Sequence, residues 1–264
     1  MDLELTGKNV LITGGSSGIG FAVAKRFLEE GANVIITGRD RARLDRALTE
    51  LSTIKDARVL ACSGDMVNTM DIARIHETAM AEFGGVDILF NNAGTGSEEK
   101  IIDAPDERWQ YYWDLQVMAT VRLSRLCVPS MAARSGGVII NNVSICALQP
   151  LDHEPIYNVT KAALAMLGKC MANEFIAHGI RVNTLNPGFI ITAPWEEYAK
   201  RATNGTSQSA DSYLDKLVRQ YAPIGRFGTP LEVADFVVFL ASPRASYCLG
   251  ASFYVDGGLI KTVC

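Results

Sequence analysis

The sequence predicts an α/β protein built on a doubly wound parallel sheet of about seven strands, flanked by helices on both faces. Short runs of β-branched and apolar residues recur along the chain without strict alternation, as expected for strands that are covered on both faces. Segments of helical period separate these runs, so strand and helix alternate. That order is typical of right-handed crossovers between parallel strands.

The individual elements follow from these two patterns in chain order. Apolar or β-branched runs bounded by Gly or Asn predict strands over 9–13, 33–37, 58–61, 87–90, 138–141, 181–185 and 252–255. Amphipathic spacing predicts helices over 18–30, 41–52, 69–83, 105–133, 156–178 and 229–241. Because no Pro/Gly/Ser-rich linker and no internal repeat interrupts the order, we interpret 1–264 as a single domain. The polar stretch at about 193–220 is then a lid-like excursion from it.

Composition limits the classes of partner. The chain has 264 residues, 48% of them hydrophobic, and a formal net charge of -4, which gives no electrostatic attraction to nucleic acid or to an anionic membrane. The apolar run at 236–241 is far shorter than the roughly 20 residues that span a bilayer. The first residues include Asp2 and Glu4 instead of a basic signal-peptide region. We therefore expect a cytoplasmic protein without nucleic-acid or membrane partners.

Cysteine and histidine spacing does not indicate a metal site. The six cysteines form no CxxC pair, and the three histidines are not spaced as ligands, so we expect free thiols and no protein-held metal. The cysteines are Cys62, Cys127, Cys146, Cys170, Cys248 and Cys264.

A glycine-rich loop follows the first predicted strand and opens a helix. Gly14 permits a tight turn, Gly18 allows the backbone to approach a pyrophosphate, and Gly20 permits close helix packing. Free N–H groups at the helix start then face the anion. An ordinary strand–helix turn is the alternative, but the position in the fold favours a dinucleotide. The predicted cofactor-binding residues of this loop are Gly14, Ser16, Ser17, Gly18, Ile19 and Gly20.

The end of the second strand bears on which dinucleotide binds. NAD-preferring sites usually place a carboxylate where Gly38 stands, and Arg39 can instead offer donors to a 2′-phosphate. NADP(H) is therefore favoured, with NAD(H) left open because Asp40 follows and Ser16 and Ser17 replace a second basic residue. The alternative is that Arg39 belongs, with Arg41 and Arg43, to a solvent-exposed helix start.

Three residues form a candidate catalytic group. Tyr157 and Lys161 are four apart on one helix face, where the ammonium is expected to lower the pKa of the phenol. Ser144 ends the preceding strand, where its hydroxyl can donate to a substrate carbonyl oxygen near Tyr157.

Together these motifs resemble the short-chain dehydrogenase/reductase family over the whole chain. The resemblance rests on the 13–20 loop, Asn91 to Gly94, the Ser144–Tyr157–Lys161 group, and Asn186 to Gly188 with Thr192. It implies a Rossmann-type fold and hydride exchange between nicotinamide C4 and a ketone or secondary alcohol. In this family Tyr157 would be the acid or base, Lys161 would also hold the nicotinamide ribose, and Ser144 would orient the substrate oxygen.

The same resemblance implies further site residues. Asp65 and Met66 would line the adenine, Asn92 would support the adenosine side, and Ile190 to Thr192 would meet the carboxamide. The family's catalytic asparagine aligns with Gln116, for which we hypothesise an altered proton relay through a water near Lys161, with a purely structural role as the alternative. The remaining cofactor-binding residues implied are Ala93, Gly94, Pro187, Gly188, Ile190 and Thr192.

Two other functions stay open. A 3-oxoacyl-[acyl-carrier-protein] reductase is less favoured, because Ser135 and His178 stand where such enzymes tend to carry basic residues. A non-catalytic dinucleotide sensor would not need the intact group of Ser144, Tyr157 and Lys161. By family analogy the protein would be a homo-oligomer, a tetramer, with 105–133 and 156–178 pairing across subunits.

Overall fold

A computed structural model of the chain describes residues 1–152 and 154–262, so Cys264 lies outside the described residues. Within this part of the chain, seven parallel strands form one sheet in the order β3-β2-β1-β4-β5-β6-β7. The strands are β1 (Asn9–Ile12), β2 (Asn33–Gly38), β3 (Arg58–Ser63), β4 (Ile88–Asn91), β5 (Gly137–Asn142), β6 (Ile180–Pro187) and β7 (Ser252–Val255). The predicted doubly wound α/β class is confirmed.

Nine α-helices connect and flank these strands in the described part of the chain. They are α1 (Gly18–Glu29), α2 (Arg41–Leu51), α3 (Thr69–Phe83), α4 (Asp106–Tyr112), α5 (Ala119–Ala133), α6 (Pro155–Phe175), α7 (Ala193–Thr203), α8 (Ala210–Tyr221) and α9 (Pro230–Ala241). Short 3-10 turns follow β5, α6 and α9.

The sheet is covered on both faces, as its apolar strands predict. Val10 and Ile12 pack with α1, α2 and α9, whereas Leu11 between them packs with α3, α5 and α6 on the other face. Alternate residues of a strand point to opposite faces, so a strand between two helical layers has to be apolar throughout. This explains why the predicted strands lack an apolar–polar alternation.

The strand order reverses at β1, which lies between β2 and β4. In open parallel sheets, ligands bind in the crevice at the carboxyl ends of the strands, next to such a reversal. The segments after β1, β4, β5 and β6 meet at this edge, and they carry most of the predicted site residues.

The helix predicted over 105–133 is interrupted in the structure. Between α4 and α5 the residues Trp113–Met118 form a π-helical segment, in which the N–H of Ala119 bonds to the carbonyl of Asp114, five residues back. A π-segment inserts an extra residue per turn and is frequent at functional sites. Gln116 lies inside this segment and is 1% exposed.

The polar stretch at 193–220 folds into α7 and most of α8. Val218 of α8 packs on Phe189, and Trp195 of α7 lies against the same cluster. This places both helices beside the end of β6. Among the described residues, none of the helices is long and apolar enough to cross a bilayer.

Candidate active site

The glycine loop folds as its spacing predicts. Gly14 has a φ of +66°, and a Cβ there would lie 3.1 Å from the Asn92 amide nitrogen. A Cβ on Gly20 would collide with the carbonyl oxygen of Gly14. Ser17 begins α1 without a side-chain cap, and the first turn of α1 carries no acidic residue. The loop thus leaves a helix start suited to a phosphate group.

Asparagine side chains tie this loop to the neighbouring strands. The amide of Asn92 donates to the carbonyls of Thr13 (2.9 Å) and Gly14 (3.2 Å), and its oxygen accepts from Asn142 at 2.8 Å. The hydroxyl of Thr13 accepts from the backbone N–H groups of Asn92 and Ala93. Asn92 therefore joins the glycine loop to the segment that ends β5.

β2 ends with Gly38, so no carboxylate stands at the position where one would exclude a 2′-phosphate. A Cβ on Gly38 would lie 3.0 Å from the hydroxyl oxygen of Ser16. Arg39 is more than half exposed, and its Nη1 lies 2.8 Å from the Tyr111 hydroxyl and 3.8 Å from the Asp65 carboxylate. A guanidinium, and not a carboxylate, therefore follows β2 directly.

The remaining predicted cofactor residues surround the same crevice. Met66 is buried after β3, and the backbone N–H of Asp65 donates to Asp71. On the other side, Thr192 lies beside the glycine loop, because a Cβ on Gly18 would be 3.3 Å from its methyl group. Pro187 ends β6, and the buried Ile190 pairs with Gly228. The uncapped start of α1 and the guanidinium of Arg39 offer donors that suit the phosphates of a nicotinamide dinucleotide.

The structure brings Ser144, Tyr157 and Lys161 together. Lys161 is 3% exposed, donates from Nζ to the carbonyl of Asn142 at 2.8 Å, and lies 5.3 Å from the centre of the Tyr157 ring. Ser144 is 7% exposed, and its hydroxyl accepts from the backbone N–H of Cys146. One helical turn of α6 thus carries the phenol and the amine side by side, facing the end of β5.

The protonation of this group differs from the expectation. Burial raises the pKa of Tyr157, the nearby Cys146 and Glu154 add to the shift, and a hydrogen bond with Ser144 opposes it. Burial also lowers the pKa of the Lys161 amine to about 8, so the amine is charged at neutral pH, but the effect of burial on the phenol is larger. Tyr157 therefore holds its proton at neutral pH, which suits a proton donor.

Gln116 lies close to the same group. Its Nε2 donates to the carbonyl of Thr95 at 3.1 Å, and its buried Oε1 has no hydrogen-bond partner among the described residues. A Cβ on Gly94 would lie 3.7 Å from Nζ of Lys161 and 3.8 Å from Cδ of Gln116. The two side chains therefore border one small space beside Gly94, with an unused amide oxygen nearby.

A cavity of about 400 Å³ opens in front of Tyr157 and Ser144. Trp195 and Tyr198 line it and also pack edge to face, with ring centres 5.9 Å apart. Cys146 lines it too, but burial raises the pKa of this thiol to about 11, so it stays uncharged. The other lining residues are Thr95, Gly96, Glu98, Ile145, Leu151, Glu154, Gly188, Phe189, Thr192, Pro194, Glu197 and Arg201.

Sequence reasoning gave too little weight to the carboxylates of this cavity. Burial, reinforced by the charge of Glu98, raises the pKa of Glu154 to about 7. Glu98 itself forms an ion pair of 2.6 Å with Arg201 of α7, across the cavity opening. A carboxylate three residues before the tyrosine of a YxxxK pattern was the available signal. Its burial depends on tertiary contacts such as that with Gly96.

Metal coordination has no structural support in the described ranges. No group of three His, Cys, Asp or Glu side chains within 1–152 and 154–262 is placed to hold an ion. The five cysteines described there are free thiols.

Known proteins resemble this chain along its whole length. A family model described as enoyl-(acyl carrier protein) reductase matches residues 14–260. An uncharacterized oxidoreductase, YvrD of Bacillus subtilis, is 38% identical over 100% of both chains. Dehydrogenase/reductase SDR family member 4 of Bos taurus is 35% identical over 97% of this chain and 88% of its own length. The crystal structure of L-sorbose reductase from Gluconobacter frateurii, complexed with NADPH and L-sorbose, matches with a TM-score of 0.98, 49% identity and 100% coverage of both chains.

Proposed function

This chain belongs to the short-chain dehydrogenase/reductase family, and from that premise we propose that it is an NADPH-dependent reductase of polyhydroxylated ketones. One observation carries the proposal. A protonated Tyr157, beside Ser144 and Lys161, faces a cavity whose wall includes the carboxylate of Glu154. The tyrosine provides the acid for a carbonyl oxygen, and the carboxylate provides an acceptor for substrate hydroxyls.

The cofactor proposal rests on the crevice at the strand ends. NADP(H) is favoured because β2 ends with Gly38 instead of a carboxylate and because Arg39 is the nearby cation, while NAD(H) stays an alternative. The related L-sorbose reductase is a complex with NADPH. We assign the pyrophosphate to the loop from Gly14 to Gly20. Gly188 and Thr192, which line the cavity together with Tyr157, would then hold the nicotinamide end.

The reaction needs one hydride and one proton. The bound dinucleotide supplies the hydride in the direction of reduction. Tyr157 gives its hydroxyl proton to the carbonyl oxygen, and Ser144 donates a hydrogen bond that holds this oxygen in place. Lys161, anchored on the carbonyl of Asn142, supplies positive charge near the phenol as the phenol loses its proton. The same residues run in reverse for a secondary alcohol.

The polarity of the cavity supports a substrate with several hydroxyl groups. Glu154 provides an acceptor in the cavity lining, and the rings of Trp195 and Tyr198 provide apolar surfaces there. Sugar-like molecules carry both hydroxyl donors and apolar C–H faces, so they match such a wall. The 49% identical reductase holds L-sorbose, which belongs to this chemical class.

A second candidate is reduction of an acyl group carried by acyl carrier protein. The description of the matching family model favours it. The acidic side chain of Glu197 at the cavity opposes it, because an acidic carrier protein would meet a like charge there. We therefore rank it below the polyhydroxylated ketones.

The test is a cofactor and substrate panel. The purified protein is mixed with NADPH or NADH and with ketoses, simple cyclic ketones, aromatic ketones and a 3-oxoacyl thioester, and loss of reduced nicotinamide absorbance is measured. The proposal expects the highest kcat/KM for a ketose with NADPH. Higher kcat/KM for the thioester would support the second candidate. Cofactor binding without turnover of any ketone would contradict both and favour a sensor.

A further inference from the structure

The segment after β4, residues 95–99, is held by other elements at each end; we call it the bridging loop. At its start, the carbonyl of Thr95 accepts from Gln116 at 3.1 Å. The carbonyl of Gly96 accepts from the hydroxyl of Tyr112 at 2.8 Å. Both donors lie on the α4 and π-helical segment.

The far end of the bridging loop is held by ion pairs. Glu99 binds Arg108 of α4, and Glu98 binds Arg201 of α7, with the closest atoms of the second pair 2.6 Å apart. Ser97 lies between these anchors and is 2% exposed. Its side chain therefore has a fixed position relative to α4 and α7.

Ser97 contacts the helix that carries the catalytic tyrosine. Its hydroxyl oxygen accepts a hydrogen bond of 3.3 Å from the backbone N–H of Tyr157, sixty residues along the chain. Its neighbours Gly96 and Glu98 line the substrate cavity, whereas Ser97 does not. Its contact is thus with the main chain of Tyr157 and not with the cavity.

This bond replaces a cap that α6 does not provide for itself. The first N–H groups of a helix have no partner within the helix and need an acceptor from elsewhere. Glu154, the residue before α6, makes no side-chain cap, and Pro155 has no N–H. Ser97 supplies an oxygen to the first turn, at the residue whose phenol has to meet the substrate.

We propose that Ser97 is a positioning residue that fixes the main chain of Tyr157, and thereby the place of its phenol relative to Ser144 and Lys161. This inference rests on the proposed reductase function for its kinetic consequence. It predicts that loss of the hydroxyl weakens proton donation without changing how the dinucleotide or the ketone binds.

The experiment uses Ser97→Ala and Ser97→Thr in the full chain. Ser242→Ala is the matched control. Ser242 is also buried, and its hydroxyl also accepts from a first-turn N–H, that of Arg244 in a short 3-10 helix distant in sequence from Ser97. Hydrogen exchange of the Tyr157 amide is measured without substrate, together with kcat, both KM values and Tm.

We expect faster exchange of the Tyr157 amide and a kcat about two- to tenfold lower in Ser97→Ala, the range that one hydrogen bond provides, with both KM values unchanged. We expect Ser97→Thr to keep the amide exchange and the kcat of the parent, and Ser242→Ala to lower Tm alone. Unchanged amide exchange in Ser97→Ala would overturn the inference, as would a raised ketone KM at constant kcat. If the parent protein reduces no ketone, the reductase proposal fails, whereas amide exchange still decides whether Ser97 holds Tyr157.

Discussion

Arg39, at the end of β2, donates a hydrogen bond from Nη1 to the hydroxyl of Tyr111 on α4, across 2.8 Å. The same nitrogen lies 3.8 Å from the carboxylate of Asp65 after β3. These contacts hold the guanidinium at the edge of the crevice, next to Gly38. A 2′-phosphate there would meet a cation that is already oriented.

Cofactor preference is expected to reverse in the double variant Gly38→Asp with Arg39→Ala. The new carboxylate accepts from a free 2′-hydroxyl and repels a 2′-phosphate, so NADPH affinity is expected to fall about ten- to a hundredfold. Dissociation constants of both cofactors measure it. Arg43→Ala is the control, since Arg43 is an exposed arginine of α2 without a side-chain partner in the crevice among the described residues. Equal affinity of the unmodified protein for NADH and NADPH would contradict the role of Arg39.

Gln116 is expected to act in the proton relay. Gln116→Ala removes the unpaired amide oxygen beside the space it shares with Lys161, so turnover is expected to fall at least about fivefold with cofactor affinity little changed. Gln110→Ala is a control in α4, because Gln110 is exposed and its side chain donates to the Asp114 carboxylate. Parent-like turnover of Gln116→Ala from about pH 6 to 9 would leave Gln116 with a structural role only.

The ion pair between Glu98 and Arg201 is expected to hold α7 over the cavity. Glu98→Arg and Arg201→Glu should each raise the ketone KM about two- to fivefold, and the double exchange should restore it, because exposed ion pairs contribute ~0.2–1 kcal/mol. Arg244→Glu serves as control, as it breaks an exposed ion pair with Glu4 away from the cavity. If the ketone KM does not recover in the double exchange, the ion pair does not hold α7 at the cavity.

The activity in reduction is expected to fall as pH rises through about 8. Burial lowers the pKa of Lys161 to about 8, so the amine is charged below this pH and neutral above it. The measurement is kcat/KM against pH, which reports ionisations of the free protein. Lys161→Arg keeps its charge in this pH range, so its kcat/KM should be lower than that of the parent but should not change with pH. A decline near pH 8 that persists in Lys161→Arg would assign the ionisation to another group.

The sequence was sufficient for the parts of this account that depend on local pattern. Strands covered on both faces read as apolar runs, and the four-residue spacing on a helix places Tyr157 beside Lys161. The sign of the shift in the Tyr157 pKa was not accessible, because spacing reveals a neighbouring charge but not how much of either group is buried. The π-helical segment around Gln116 was missed for a similar reason, since its residues have ordinary helical periodicity.

The raised pKa of Glu154 and the anchors of Ser97 could not be read from the sequence either. Both depend on the bridging loop, whose contacts with α4, α6 and α7 join residues far apart in the chain. Local periodicity carries no information about such contacts.

A comparison of Tyr157→Phe with the parent protein tests whether the phenol of Tyr157 donates the proton. Oxidation of NADPH is followed with the best ketose of the panel, and the dissociation constant of NADPH is measured for both proteins. We expect Tyr157→Phe to bind NADPH nearly as well as the parent but to show no measurable turnover, because the ring still packs and no hydroxyl proton is available. Turnover of Tyr157→Phe at the rate of the parent would show that Tyr157 is not the proton donor.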